Sequence, residues 1–143
     1  EVKNFADAGG FVIGICNGFQ ILTEARILPG ALVRNQNEAF VCKTVDILVQ
    51  NKTSVFTKGL SETVKIQVAH ADGMYVADEQ TVKKLKEEDR IAFKYKESFN
   101  GSVESIAGII GGKNYNILGM MPHPERTLAS ADCIQIFKNL SSV

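Results

Sequence analysis

A cysteine near the start of the chain has the surroundings of a reactive nucleophile. Cys16 lies between Gly14 and Gly18, directly after a short apolar run, and a segment able to form a helix follows it. This pattern predicts a nucleophile elbow, a sharp strand-to-helix turn that holds a reactive side chain in a strained, exposed position. Close packing at such a turn requires small residues on both sides. The N–H groups and dipole of the following helix stabilise a thiolate, so we expect a lowered pKa for the Cys16 thiol.

A cysteine nucleophile also needs a base, and the sequence contains two histidines. His123 is the better candidate, because prolines on both sides fix its backbone at the exit of a predicted strand. Glu125 lies on the same side of the chain as His123 if the segment is extended. Its carboxylate could bind one ring nitrogen and leave the other facing Cys16. These three residues would then act as nucleophile, base and orienting group. The second histidine, His70, precedes a glycine-containing turn.

The elements that would position these residues follow from the hydrophobic pattern. Continuous apolar runs and period-two alternation predict strands, and apolar residues at helical spacing predict helices. The first predicted strand is a buried apolar run of the parallel type, and the later strands form antiparallel hairpins. This combination indicates an α/β sheet of mixed direction flanked by helices. The predicted strands cover residues 11–15, 31–34, 40–49, 64–70, 90–96, 106–110 and 117–121, and the predicted helices cover residues 1–10, 18–28, 78–88 and 130–140.

Composition excludes several classes of function. The chain has 143 residues, is 45% hydrophobic and carries no net charge, which gives no reason to expect nucleic acid or an anionic membrane as a partner. No apolar stretch reaches the roughly 18 residues of a transmembrane helix. Three cysteines without a CxxC spacing argue against a disulfide framework or a zinc site. We therefore expect a cytoplasmic protein without a bound metal.

Two segments together carry a resemblance to a known family. Residues 14–22 (GICNGFQIL) and 119–126 (GMMPHPER) resemble the class I (triad) glutamine amidotransferases. More narrowly, they are similar to the glutaminase components of phosphoribosylformylglycinamidine synthase, an enzyme of purine biosynthesis. The resemblance extends over essentially the whole chain and implies a flavodoxin-like sheet of mixed direction.

The resemblance also implies a reaction. Cys16 would attack the side-chain amide of glutamine and form a thioester, and His123 would protonate the leaving ammonia. The ammonia would pass to a synthetase partner, with a small accessory subunit in the complex. The partner would use ATP and magnesium, while this chain would need no cofactor. The backbone N–H of Asn17 would supply half of an oxyanion hole, Gln20 with Gly14 and Gly18 would bind glutamine, and His70 would line the pocket or the partner surface.

One departure from the family affects these expectations. The family supplies the second oxyanion donor from a Pro-Gly-Gly-Phe loop ahead of the elbow, and this sequence contains no such segment. Little chain precedes Cys16 to form the strands that usually flank an elbow strand. We therefore expect residues 1–143 to be a single amidotransferase domain that is incomplete at its N-terminus and equals roughly its C-terminal two-thirds. We expect this chain alone to show little or no activity.

Two alternatives remain open from the residues. The first is another class I amidotransferase or a PfpI-like cysteine hydrolase, which also carries its nucleophile on a strand elbow. The second is a chain without catalysis that only docks on a synthetase, because the second oxyanion donor is missing.

Overall fold

The computed structural model describes residues 1–127 and 130–141. Within these residues it contains a six-stranded sheet, a separate two-stranded sheet and four α-helices. The helices are α1 (Val2–Asp7), α2 (Asn17–Glu24), α3 (Glu79–Glu87) and α4 (Ala131–Leu140). The strands are β1 (Val12–Ile15), β2 (Ala31–Val33), β3 (Val41–Val49), β4 (Thr63–His70), β5 (Met74–Val76), β6 (Ile91–Tyr95), β7 (Ile106–Gly111) and β8 (Ile117–Met120).

The large sheet has the order β1-β8-β7-β6-β3-β4, and β2 pairs with β5 in the small sheet. The pair β1 and β8 is parallel, and every other neighbouring pair in the large sheet is antiparallel. Strands β1, β8, β6 and β4 consequently run in the same direction, and their carboxyl ends lie at the same edge. The predicted α/β sheet of mixed direction is confirmed. Functional groups of such sheets collect at the carboxyl ends of the strands.

The large sheet curls, so that its two outer strands meet. Although β1 and β4 are at opposite ends of the strand order, the Cys16 thiol contacts the Ala69 carbonyl oxygen of β4. The backbone N–H of His123, which follows β8, donates to the carbonyl oxygen of Gln67 in β4 at 2.8 Å. The carboxyl end of β4 is thereby placed over the ends of β1 and β8.

Apolar side chains cover both faces of the large sheet. One cluster packs Ile66, Phe93 and Leu118 against Ile136 of α4, and a second cluster lies around Phe19 of α2. β7 and β8 are buried at every position, which explains their unbroken apolar sequences. The two clusters fix the strands whose ends carry the polar residues described below.

Two local features differ from the sequence prediction. Helix α2 ends at Glu24 rather than near residue 28, because Arg26 has a positive φ of 56° and the chain turns back there. The turn lets Leu28 pack into the core, where it is 1% exposed. Strand β5 was not predicted, since its three residues form a strand only by pairing with β2.

Within residues 1–127 and 130–141, no helix has the length and apolar character needed to cross a membrane. The same residues contain no cluster of three or more histidine, cysteine or acidic side chains placed to hold a metal ion.

Candidate active site

The turn at Cys16 has the geometry of a nucleophile elbow. Cys16 lies between β1 and α2 with φ 51° and ψ −104°, a backbone conformation that is unfavourable for a residue with a side chain. Its N–H donates to the carbonyl oxygen of Met120 in β8 at 2.8 Å, and its carbonyl oxygen accepts from the N–H groups of Phe19 and Gln20. Hydrogen bonds with the neighbouring strand β8 and with the first turn of α2 therefore hold the strained residue in place.

The two glycines beside the elbow have different reasons to be small. A Cβ at Gly14 would lie 2.4 Å from Leu22 Cδ1 and 2.8 Å from the carbonyl group of Gly18. Gly14 therefore allows the close approach of α2 to β1, as predicted. A Cβ at Gly18 would have no atom within 4 Å, so packing does not explain this glycine. The role predicted for both residues in substrate binding stays a prediction.

The environment of the Cys16 thiol differs from the prediction. The thiol is half-buried and donates to the carbonyl oxygen of Ala69 at 3.7 Å. Burial raises the pKa of Cys16 above its ordinary value, and this effect outweighs the opposing effects of the Asn17 N–H and the Arg126 charge. The prediction of a lowered pKa is therefore wrong, although the Asn17 N–H acts on the sulfur in the predicted direction. The resting group is a thiol, and a base must take its proton during the reaction.

His123 and Glu125 are in direct contact. The Nδ1 atom of His123 and the Oε1 atom of Glu125 are 2.6 Å apart, and the same oxygen lies 3.8 Å from Nε of Arg126. A carboxylate accepts only, so Nδ1 of His123 carries a hydrogen and Nε2 is left as the basic nitrogen. Nε2 is buried and has no hydrogen-bond partner in the part of the chain that the structure describes. The sequence predicted this pair from an extended segment, whereas Pro124–Arg126 forms a turn of 3₁₀ helix that brings Glu125 back to His123.

The fold brings the nucleophile and this basic nitrogen to the same edge. In the parallel pair of β1 and β8, Ile15 is opposite Met120, so Cys16 and His123 both follow the ends of adjacent strands. Both then contact β4, Cys16 through Ala69 and His123 through Gln67. The charge of Glu125 also acts on the pKa of Cys16, which shows that the two sites share one electrostatic environment.

His70 lies at the carboxyl end of β4, in a network that fixes its protonation. The Nδ2 group of Asn35 donates to the carbonyl oxygens of Ala39 and His70, so its Oδ1 atom is the acceptor. Oδ1 accepts from the Gly73 N–H and faces Nδ1 of His70 at 3.1 Å, which places the hydrogen of a neutral His70 on Nδ1. Burial, assisted by the charge of His123, lowers the pKa of His70 to about 4. Its Nε2 is thus a bare acceptor, and it has no partner within the described residues.

Gln20 and Asn17 are placed differently from each other. The Nε2 group of Gln20 donates to the backbone oxygen of Asp72 at 2.7 Å and so ties α2 to the turn after β4. The structure thereby gives Gln20 a positioning contact, and its predicted contact with substrate remains a prediction. The Asn17 N–H faces the sulfur of Cys16. It could therefore also donate to the oxygen of a substrate whose carbon is bonded to that sulfur.

Sequence reasoning missed three residues near these groups. Tyr95 ends β6 and is 2% exposed, and Phe99 stacks on His70 with ring centroids 6.0 Å apart. Asn35, which sets the tautomer of His70, lies 35 residues away from it in the sequence. The position of Tyr95 at the end of a strand that runs parallel to the elbow strand is the signal that could have identified it.

A surface cavity of about 290 Å³ is lined by Lys43, Lys65 and Phe99 among others, and it therefore borders the ring that stacks on His70. It contains neither Cys16 nor His123, so we place the chemistry at the carboxyl edge of the sheet. The elbow cysteine and the histidine–carboxylate pair at the end of the adjacent strand have the residue types of a Cys–His–Glu triad.

Comparison with known proteins identifies the family. The model of the CobB/CobQ-like glutamine amidotransferase domain matches residues 1–136, and the chain belongs to this family. It is 47% identical, over 96% of its own length and 64% of the relative's, to phosphoribosylformylglycinamidine synthase subunit PurQ of Ruegeria sp. (strain TM1040).

Solved structures agree with this assignment. A chain in the structure of PurLQS from Thermotoga maritima matches 99% of this chain and 66% of its own length, with 34% identity and a TM-score of 0.86. A glutamine amidotransferase from Thermotoga maritima shares the fold, with 17% identity and a TM-score of 0.59 over 96% of this chain and 51% of its own length. The chain therefore spans slightly less than two thirds of the length of its PurQ relative, and about two thirds of the PurLQS chain.

Proposed function

We propose that this protein is the glutaminase component of phosphoribosylformylglycinamidine synthase. It hydrolyses glutamine through a thioester at Cys16 and delivers the ammonia to an ATP-dependent synthetase partner. The observation that carries the proposal is the His123–Glu125 contact of 2.6 Å, at the edge where Cys16 lies, with the other ring nitrogen of His123 left without a partner among the described residues. The similarity to PurQ and to a chain of PurLQS supports the choice of partner.

The first half of the reaction forms the thioester. Nε2 of His123 takes the thiol proton, since burial keeps Cys16 protonated at rest. The sulfur then bonds to the amide carbon of glutamine, and the carbonyl electrons move to the oxygen, which the Asn17 N–H stabilises. When the C–N bond breaks, His123 passes its proton to the nitrogen and ammonia leaves. Glu125 keeps the His123 ring oriented and stabilises its cationic form.

The second half regenerates the cysteine. A water molecule gives a proton to Nε2 of His123 and bonds to the thioester carbon. The C–S bond then breaks, glutamate is released, and the proton returns to the Cys16 sulfur. Glu125 holds the imidazole through its contact with Nδ1 and does not carry the transferred proton.

The partner completes the proposed activity. We propose that the synthetase, with a small accessory subunit, uses ATP and magnesium and that this chain holds no cofactor. We also place the activity in the cytoplasm, in keeping with cysteines that lack disulfide or zinc spacing. The second oxyanion donor does not come from a Pro-Gly-Gly-Phe segment of this sequence. Loss of one such donor typically lowers the rate about 10²–10³-fold, so we expect low turnover by residues 1–143 alone.

Covalent labelling tests the nucleophile. The glutamine analogue 6-diazo-5-oxo-norleucine should modify Cys16, as located by mass spectrometry of the protein in its complex with the synthetase. Cys42 is the internal control, because it is exposed while Cys16 is half-buried. Labelling of Cys16 without Cys42 would show an activated site rather than an accessible thiol. Equal labelling, or none at Cys16, would contradict the proposal.

A variant separates glutamine use from synthesis. In the complex, Cys16→Ala should abolish glutamine-dependent product formation, while added ammonium salt should still support it. Cys42→Ala should leave both activities unchanged. A Cys16→Ala complex that still uses glutamine would refute the assigned nucleophile, and hydrolysis of peptides in place of glutamine would favour a PfpI-like hydrolase.

A further inference from the structure

Three buried side-chain atoms lack a hydrogen-bond partner in the residues that the structure describes, and all three belong to residues at the catalytic edge. They are Nε2 of His70, the hydroxyl oxygen of Tyr95 and Nε2 of His123. Buried polar groups are nearly always hydrogen-bonded, so a group of exceptions in one place indicates an absent ligand. The reaction proposed above uses His123 and leaves the other two unexplained.

The hydroxyl of Tyr95 is held firmly in this position. The residue is 2% exposed, and its ring packs edge-on against Phe99 with centroids 4.8 Å apart. The Phe99 ring also stacks on His70. Burial and the negative charge of a Cys16 thiolate both raise the pKa of Tyr95, so its hydroxyl stays protonated and lies within electrostatic reach of the sulfur.

The groups around the nucleophile differ in what they offer to the nitrogen of the substrate and to its oxygen. His123 is the group that protonates the leaving nitrogen. The Asn17 N–H, which serves the oxygen, belongs to the elbow helix instead. The Tyr95 hydroxyl is grouped instead with the Nε2 atoms of His70 and His123, which lack a partner among the described residues; these atoms are acceptors and suit the N–H donors of the substrate nitrogen rather than its oxygen.

We propose that the Tyr95 hydroxyl oxygen accepts a hydrogen bond from the amide nitrogen of the substrate and from the ammonia formed from it. This inference rests on the proposed glutamine hydrolysis and adds a substrate-contacting residue to it. A primary amide has two N–H donors, and a tyrosine oxygen can accept one of them while its own hydrogen remains free to donate. The bare Nε2 of His70, packed on the same Phe99 ring, is an acceptor of the same kind.

The matched variants are Tyr95→Phe and Tyr75→Phe. Both tyrosines are buried, but the Tyr75 hydroxyl donates to the Pro29 carbonyl oxygen at 2.8 Å, whereas the Tyr95 hydroxyl has no partner in the described structure. Tyr95→Phe should lower kcat/KM for glutamine roughly 3- to 10-fold, the range for one neutral hydrogen bond. Its melting temperature should stay unchanged or rise, because an unpartnered polar group is removed. Tyr75→Phe should lower the melting temperature and leave kcat/KM unchanged.

A change of leaving group tests which substrate atom is contacted. Glutamate γ-methyl ester has the same acyl part as glutamine but releases methanol, which has no N–H. In the complex with the synthetase, Tyr95→Phe should reduce hydrolysis of glutamine and leave hydrolysis of the ester unchanged. Equal losses on both substrates would place the hydroxyl at the oxygen and overturn the proposal, as would the absence of any loss.

The outcomes also separate this inference from the function on which it rests. If the wild-type protein hydrolyses both substrates and Tyr95→Phe does not differ from it, only the role of Tyr95 is refuted. If the wild-type complex does not hydrolyse glutamine and Cys16 is not labelled, the proposed function fails, and the role of Tyr95 fails with it.

Discussion

Replacing Gly14 by alanine should destabilise the protein by about 3 kcal/mol, the upper part of the usual range for overpacking a core. The added Cβ would lie 2.4 Å from Leu22 Cδ1 and 2.8 Å from the backbone of Gly18. Leu22 is 4% exposed and has little room to move, and the Gly18 atoms belong to the first turn of α2. Relief therefore requires α2 to move away from β1, which would also displace Cys16.

Gly18→Ala provides the control two residues beyond the nucleophile. The added methyl group would meet no atom within 4 Å, and Gly18 is not among the glycines with positive φ. Alanine in a helix is favoured over glycine by roughly 0.5–1 kcal/mol, so this variant should be unchanged or slightly more stable. The two variants should thus differ by about 3–4 kcal/mol in the free energy of unfolding.

Urea unfolding, followed by circular dichroism, measures this difference directly. For a chain of this size a change of 3 kcal/mol corresponds to a shift in melting temperature of roughly 10 °C. A Gly14→Ala protein within about 1 kcal/mol of the wild type would refute the close approach of α2 to β1. So would a Gly18→Ala protein that is destabilised to the same extent.

Two further predictions concern the histidines. Because the pKa of His70 is lowered from 6.5 to about 4, the unfolded chain binds a proton in this pH range that the native chain does not. Stability should therefore fall as the pH falls from 6.5 to about 4, and His70→Gln should flatten this part of the curve in urea titrations; an equally steep curve in the variant would show that His70 is not buried in its neutral form. Glu125→Gln should lower kcat for glutamine on the order of 10²-fold in steady-state assays, because the carboxylate that stabilises the cationic His123 is lost, and an unchanged kcat would mean that another group orients the ring.

Elements with strong periodicity could be predicted from the sequence, and elements defined by distant contacts could not. The hairpin of β7 and β8 was predicted because two apolar runs flank a glycine-rich turn. The end of α2 was misplaced because residue 28 fits the helical pattern, whereas the structure uses that side chain in the core after a turn at Arg26. Strand β5 depends on a partner that precedes it by more than 40 residues, and three residues carry too little pattern to indicate it.

The candidate site shows the same division. His123 and Glu125 are two residues apart, so their pairing could be predicted, although a 3₁₀ turn at Pro124–Arg126 makes the contact in place of the expected extended segment. The raised pKa of Cys16 depends on burial by other elements, among them a strand 53 residues away, which no local pattern describes. The helix terminus that suggested a lowered pKa is present and acts in the expected direction. Burial is the larger effect here, and its size depends on the curl of the whole sheet.

The carboxyl edge of the sheet carries the buried polar atoms that lack a partner among the described residues, together with the strained Cys16. Each buried polar atom without a partner costs about 1–3 kcal/mol, and a non-glycine residue at positive φ, such as Cys16, costs a similar amount. The fully buried strands β7 and β8 lie between β1, which leads to Cys16, and β6, which ends at Tyr95, and β8 itself leads to His123. A substrate that hydrogen-bonds to His70, Tyr95 and His123 would give each of these atoms a partner that the described residues do not supply.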